Sequence, residues 1–223
     1  MAELFDLFRE MFTNLPVFLN NMIATFGWVT YLILFLIIFC ETGLVVTPIL
    51  PGDSLLFAAG TFTIMRGTDE AALSAPLLVL VLSVAAILGD AVNYAVGHYI
   101  GPKIFHKENV RFLNKAHLVK AHAFYEKHGG KTIILARFMP IIRTFAPFVA
   151  GIGRMTYLHF ASFNVIGGIA WVSVCVYAGH FLADVEFVKK HFELVLIAIV
   201  FISILPALVE YARHRLAVRR ARG

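Results

Sequence analysis

The chain has 223 residues, of which 60% are hydrophobic and 15% charged, with a mean hydropathy of +0.81. A soluble domain of this size cannot bury so large an apolar fraction, and about 25% charged residues would be usual for one. The composition therefore excludes a cytosolic nucleotide-binding enzyme, a secreted disulfide scaffold and a disordered chain. Nineteen Lys+Arg against 14 Asp+Glu leave a net charge of +5, and most of these charges lie between long apolar blocks. The two cysteines, Cys40 and Cys175, both fall inside apolar stretches, so neither a disulfide framework nor a metal tetrad is expected.

Residues 2–21 repeat apolar side chains with helical spacing, Leu4, Leu7, Met11, Leu15 and Phe18, with Glu3, Asp6, Glu10 and Asn14 opposite. They are expected to form an amphipathic interfacial helix. Acidic residues so near the N-terminus have the wrong sign for a secretory leader. Residues 22–40 carry no charge, and nineteen residues at about 1.5 Å each come close to the roughly 30 Å hydrocarbon layer. A first span is expected there, ended by Glu41. Residues 42–65 are apolar but interrupted by Gly43, Pro48, Pro51, Gly52 and Asp53. Two arms of about a dozen residues cannot each cross the bilayer, which predicts a re-entrant hairpin. A second span is expected after the polar loop 66–70, running through Asp90, Asn93 and Tyr94 to a stop at Gly101-Pro102.

Residues 103–131 form an amphipathic linker rich in lysine, which the positive-inside rule places in the cytoplasm. Residues 132–153 are again apolar, broken by Pro140, Pro147 and the arginines Arg137 and Arg143, and read as a second re-entrant hairpin. An uncharged third span follows through residue 183, then a last transmembrane helix over 191–212 and a basic tail, 213–223, also cytoplasmic. Four spans with two non-crossing hairpins put both termini on the cytoplasmic side. The first hairpin then enters from the outer face and the second from the cytoplasmic face. An internal repeat agrees with two such units, 22–102 and 132–183: Phe57-Ala58-Ala59-Gly60 matches Phe148-Val149-Ala150-Gly151, and Gly97-His98-Tyr99 matches Gly179-His180-Phe181. The expected fold is thus one all-α polytopic membrane domain: two inverted re-entrant helical hairpins, about four transmembrane helices and an N-terminal amphipathic helix.

Glu41, Asp53, Arg137 and Arg143 lie in or beside apolar stretches, where one such group at mid-membrane costs about 2.5–3.5 kcal/mol. They must face each other, water or a charged ligand. The acids belong to the first half and the arginines to the second, so two hairpins meeting near the midplane would join them. Guanidinium keeps its charge and grips phosphate oxygens in a planar fork. Carboxylates can exchange protons. Arg137 and Arg143 are therefore candidates to bind an anionic headgroup, with backbone unwound at Pro51, Gly52, Pro140 and Pro147. Glu41 and Asp53 are candidate proton carriers. The blander alternative is a set of structural salt bridges. Asp90, Asn93 and Asn164 are secondary candidates; for Asp90 and Asn93, one helical turn apart, a helix-packing hydrogen bond competes. The histidines lack metal-ligand spacing, and no metal or cofactor is expected. Hydrolase, protease and nucleotide-binding motifs are absent from the sequence. The basic stretches flank spans, which points to anionic lipid and topology, not nucleic acid.

Three runs, ETGLVVTPILPGDSLLFAAG, GDAVNYAVG and FYEKHGGKTIILARFMPIIRTFAPFVAGIGRMTYLHFASFNVIGGIAW, resemble the DedA family of bacterial membrane proteins, which share the VTT or SNARE-associated domain. The resemblance covers about residues 26–215. The PGD loop and the R-x5-R-x3-P-x3-G run carry it most specifically. It implies an inner-membrane protein with two opposed hairpins that returns undecaprenyl phosphate across the membrane, coupled to protons. It also implies functional roles for the pairs Glu41 and Asp53, and Arg137 and Arg143. The leading expectation is a proton-coupled flippase for a polyprenyl phosphate, whose partners are the anionic lipid, protons and membrane lipids, with a homodimer left open. The rivals are a proton-coupled exporter of small cations or drugs, a lipid-phosphate hydrolase using His159, and a non-transporting membrane organiser.

Overall fold

The computed structural model describes residues 14–44, 52–64, 73–105, 129–199, 201 and 205. Among these, all regular structure is helical. Three helical stretches are long and apolar enough to cross a membrane: Leu15–Gly43, Ala75–Ile100 and Tyr157–Leu182.

The first stretch is two helices in series. Helix α1 (Leu15–Phe26) starts where the Asn14 side chain accepts the Val17 N–H, and it ends at Gly27, whose φ of 52° stops the helix. One 3-10 turn, Gly27–Val29, leads to α2 (Thr30–Gly43). Thr30 Oγ1 donates to the Met22 carbonyl across this break at 3.2 Å, stapling the two helices together. This corrects two expectations. The helical path begins before residue 22, and residues 15–21 do not simply lie on the membrane surface. Leu15, Phe18, Leu19 and Met22 are buried in the main core, because the apolar stripe finds a protein partner. Residues 2–13 of the predicted interfacial helix lie outside the described residues.

The interrupted stretches yield short helices. Helix α3 (Gly52–Thr61) has 10 residues. Helix α4 (Ala75–Phe105) has 31 and runs past Gly101-Pro102, where a stop was expected. A proline this near a helix end removes one hydrogen bond without breaking the preceding turns. Helices α5 (Lys131–Arg137) and α6 (Pro140–Ile152) have 7 and 13 residues. They part at Met139, whose extended backbone (φ −117°, ψ 107°) is what a residue before proline prefers. At about 1.5 Å per residue none of α3, α5 or α6 reaches the roughly 30 Å of a hydrocarbon layer. Helix α7 (Tyr157–Leu182) and the short α8 (Glu186–Lys190) follow. The tip of the first predicted hairpin (45–51), most of the linker, part of the last predicted span and the basic tail lie outside the described residues.

Each long helix has one face for lipid and one for protein. Along α4, Leu77, Leu80, Val84, Leu88, Val92 and Val96 recur every three or four residues and are exposed, while Leu78, Leu82, Ala85, Ala86, Asp90 and Asn93 are buried. An apolar stripe of that length is compatible with a hydrocarbon solvent, not with water.

The packing is reciprocal. Helix α3, from the first half, lies on α7 of the second, and α6, from the second half, lies on α4 of the first. Both crossings are so close that a Cβ on Gly60 would strike the Val176 carbonyl, and one on Gly179 the Phe57 carbonyl. At the other crossing, Gly151 meets the Tyr94 carbonyl and Gly97 the Phe148 carbonyl. Short helices correspond at an offset of 91 and long helices at 82, the same two offsets that the sequence repeat carries. The repeat is therefore built into the three-dimensional contacts, through glycines that permit backbone-to-backbone approach.

Candidate functional site

Arg143 stands in the first turn of α6, its N–H bonded to the Met139 carbonyl at 2.8 Å. Pro140 opens that helix, but the unwinding expected at Pro147 does not occur: α6 runs on through this buried proline, which lacks only the N–H that would return to the Arg143 carbonyl. The guanidinium reaches two carboxylates. Nη2 donates to Glu41 Oε1 at 2.6 Å and Nη1 to Asp53 Oδ1 at 2.7 Å. Glu41 sits near the end of α2 and Asp53 in the first turn of α3. The side chains of Arg143 and Glu41 are 3% and 1% exposed, that of Asp53 13%, so Asp53 has the most access. Behind them lies Trp171 of α7. Its ring centroid is 4.5 Å from Arg143 Cζ, and its Nε1–H donates to the same Asp53 Oδ1 at 2.8 Å. Gly52 closes the pocket: a Cβ there would collide with the Glu41 carboxylate.

Arg137 does not join this cluster. From the end of α5 its Nη2 donates to Asp90 of α4 and to the side-chain oxygen of Asn164 on α7. The sequence grouped both arginines with Glu41 and Asp53; the structure gives Arg137 a separate acid. Helical spacing explains why, since Asp90, Asn93 and Tyr94 share the buried face of α4, and Asn164, Gly167 and Gly168 that of α7. The guanidinium passes beside Gly167 and Gly168, where Cβ atoms would be 3.5 Å from Arg137 Nε and 3.4 Å from Nη1. Asn164 Nδ2 continues the chain of bonds to the Ile87 carbonyl at 3.0 Å.

Asn93 ties the halves together. Its Nδ2 donates to the Thr42 carbonyl at 3.2 Å and to the Thr144 carbonyl at 2.7 Å, one residue from Glu41 and one from Arg143. This is the helix-packing role foreseen for it. Pro51 lies outside the described residues.

Among the described residues, two arginines and three acidic side chains thus share the interior, one more carboxylate than guanidinium. Each arginine is already held by oxygen ligands from the other half, which offsets the cost of burying it. Arg143 commits one N–H on each of its two terminal nitrogens to a carboxylate. Glu41 Oε2, Asp90 Oδ1, Asn93 Oδ1, Arg137 Nε and Nη1, and Arg143 Nε are buried without a hydrogen-bond partner in the structure. Among the described residues no group of His, Cys, Asp and Glu is arranged to hold a metal. Trp171 was not singled out from the sequence. Its spacing from Asn164, Gly167 and Gly168, at i, i+3, i+4 and i+7, was the signal that it faces inward.

The VTT domain family matches residues 44–181. Protein DedA of Escherichia coli (strain K12) is 50% identical over 212 residues, covering 95% of both chains. A membrane protein of Mycobacterium tuberculosis (strain ATCC 25618 / H37Rv) is 42% identical, covering 92% of this chain and 89% of its own. Inner membrane protein YqjA of E. coli K12 is 33% identical, covering 72% of this chain and 71% of its own. No solved structure matches the chain. With half of the aligned residues identical to a relative matched over 95% of both chains, and the VTT domain matching residues 44–181, the chain belongs to the DedA family of VTT-domain membrane proteins.

Proposed function

We propose that the protein is a proton-coupled transporter of the bacterial inner membrane that flips an anionic polyprenyl phosphate, such as undecaprenyl phosphate. The observation that carries this reading is Arg143, buried and shared between Glu41 and Asp53. A proton taken up by either carboxylate weakens its hold on the guanidinium, and a phosphate oxygen takes the vacated place. Loss of the proton to the other side restores the carboxylate and expels the phosphate. Arg137, released from Asp90 in the same way, is the second phosphate contact. The short helices α3, α5 and α6 belong to two re-entrant hairpins of opposite orientation, with both termini cytoplasmic, and alternate opening of these hairpins moves the headgroup. The excess of one carboxylate supports a second reading, efflux of a cation bound directly by Glu41 and Asp53.

Translocation of a fluorescent polyprenyl phosphate in proteoliposomes tests the proposal. Glu41→Gln and Arg143→Ala are both expected to abolish translocation. Wild-type rates in both would overturn it, and cation efflux that survives Arg143→Ala would favour the second reading.

A further inference from the structure

Trp171 is fully buried at 1% exposure, in a chain whose other tryptophan, Trp28, is 80% exposed. A core indole ordinarily satisfies its one donor on a backbone carbonyl or a neutral side chain. Here the donor goes to Asp53 Oδ1, the very atom that Arg143 Nη1 holds, and the ring face lies against that same guanidinium. The indole thus meets both partners of one ion pair, each with the part of the ring suited to it: the N–H for the anion, the electron-rich face for the cation. Three elements converge, α3 with Asp53, α6 with Arg143 and α7 with Trp171.

We propose that Trp171 is a positioning residue of the proton-coupled cycle, keeping Asp53 and Arg143 in place as their ion pair opens. When Asp53 is charged, Trp171 and Arg143 share its Oδ1. When Asp53 takes a proton and Arg143 lets go, the N–H still fixes the carboxyl group and the ring still backs the guanidinium. Arg143 then presents its freed N–H groups to a phosphate without being stranded in an apolar interior. The other ionisable groups around the pair are Glu41 on α2, Asp90 on α4, Arg137 on α5 and Cys175, one turn beyond Trp171 on α7. Asp53 is the one that touches the indole N–H.

This inference rests on the proton-coupled reading, but its first test does not depend on lipid transport. Indole emission responds to charge at the ring, so Trp28→Phe makes Trp171 the sole reporter. In liposomes, the emission of the Trp28→Phe protein is expected to shift between acid and alkaline pH, and the shift to disappear when Asp53→Asn is added. An emission that stays constant with pH, or a shift that persists undiminished with Asp53→Asn, would overturn the proposal. Trp171→Phe keeps a ring over Arg143 and removes the N–H. It is expected to fold in normal yield, to transport polyprenyl phosphate about tenfold more slowly, as befits one hydrogen bond to a charged group, and to have a displaced pH profile. Wild-type rate and profile in Trp171→Phe would also overturn the proposal. If that variant does not fold, the fluorescence titration decides. If wild-type protein fails to move polyprenyl phosphate while the Asp53-dependent shift is present, the substrate assignment falls and the placement of Trp171 stands.

Discussion

Replacing Arg143 by methionine, similar in length and without charge, separates what the cluster does for the fold from what it does for transport. The guanidinium holds two carboxylates at 2.6 and 2.7 Å. Breaking a buried ion pair by removing one partner costs about 3–5 kcal/mol, because the other charge is left in a medium that cannot solvate it. The penalty falls mainly on Glu41, 1% exposed, and less on Asp53, which is 13% exposed and keeps the Trp171 N–H. A loss of roughly 4 kcal/mol is expected, which for a chain of this length lowers the melting temperature by about 10 °C. Adding Glu41→Gln and Asp53→Asn removes the stranded charges, and at least half of the lost stability should return while transport stays absent. Thermal unfolding in detergent, followed beside translocation in proteoliposomes, measures both quantities. If Arg143→Met melts with the wild type, or the triple variant is no more stable than Arg143→Met, the charges are not buried against one another and the reasoning fails.

Asn93→Ala removes both bonds from α4 to the Thr42 and Thr144 carbonyls and should cost about 1–3 kcal/mol. Asn93→Asp, which sets a carboxylate against the same carbonyls, should transport more slowly than the alanine variant; the reverse order would show that the amide is not a donor there. Gly60→Val and Gly151→Val occupy equivalent places in the two crossings, each against a carbonyl of the facing long helix. Both should reduce folded protein in the membrane to a similar extent, read by immunoblot of solubilised protein. A chain that tolerates one and not the other would contradict the reciprocal packing.

Much of this arrangement was legible in the sequence because lipid imposes simple rules. Uncharged runs long enough to span, the interruption at Pro140 and the 91 and 82 offsets reappear as helices, a break and glycine crossings. The pairing of Glu41 and Asp53 with Arg143 followed from cost alone, since no isolated charge is tolerated at that depth. Where reasoning from charge stopped short, partner choice depended on which helix face meets which. Arg137 goes to Asp90 because α5 packs on α7 and α6 alongside the buried face of α4, a contact with no signature in residue type. The burial of Leu15, Phe18, Leu19 and Met22 was hidden for a related reason. An amphipathic stripe reads the same whether it faces a membrane surface or a protein core, and only the presence of α3 beside it decides.

The repeat also shows why the Arg143 cluster has no counterpart in the first half. In the register set by the glycine crossings, Arg143 corresponds to Gly52 and Trp171 to Gly89. The first half thus has no side chain where the second has its guanidinium and its indole. These two glycines are not idle: a Cβ on Gly52 would enter the Glu41 carboxylate, and one on Gly89 would strike Thr42 Oγ1 and the Phe39 carbonyl. Gly89 lets α2 lie close against α4 and Gly52 leaves room for the Glu41 carboxylate, which brings Glu41 within reach of an arginine from the opposite half. The crossings are therefore alike in the two halves, while paired departures from symmetry, small residues in one half and large in the other, leave the Arg143 cluster without a twin. On the proposed reading, a transporter so built handles one phosphate at that guanidinium per cycle, and the hairpin lacking the arginine contributes the carboxylate that competes with it.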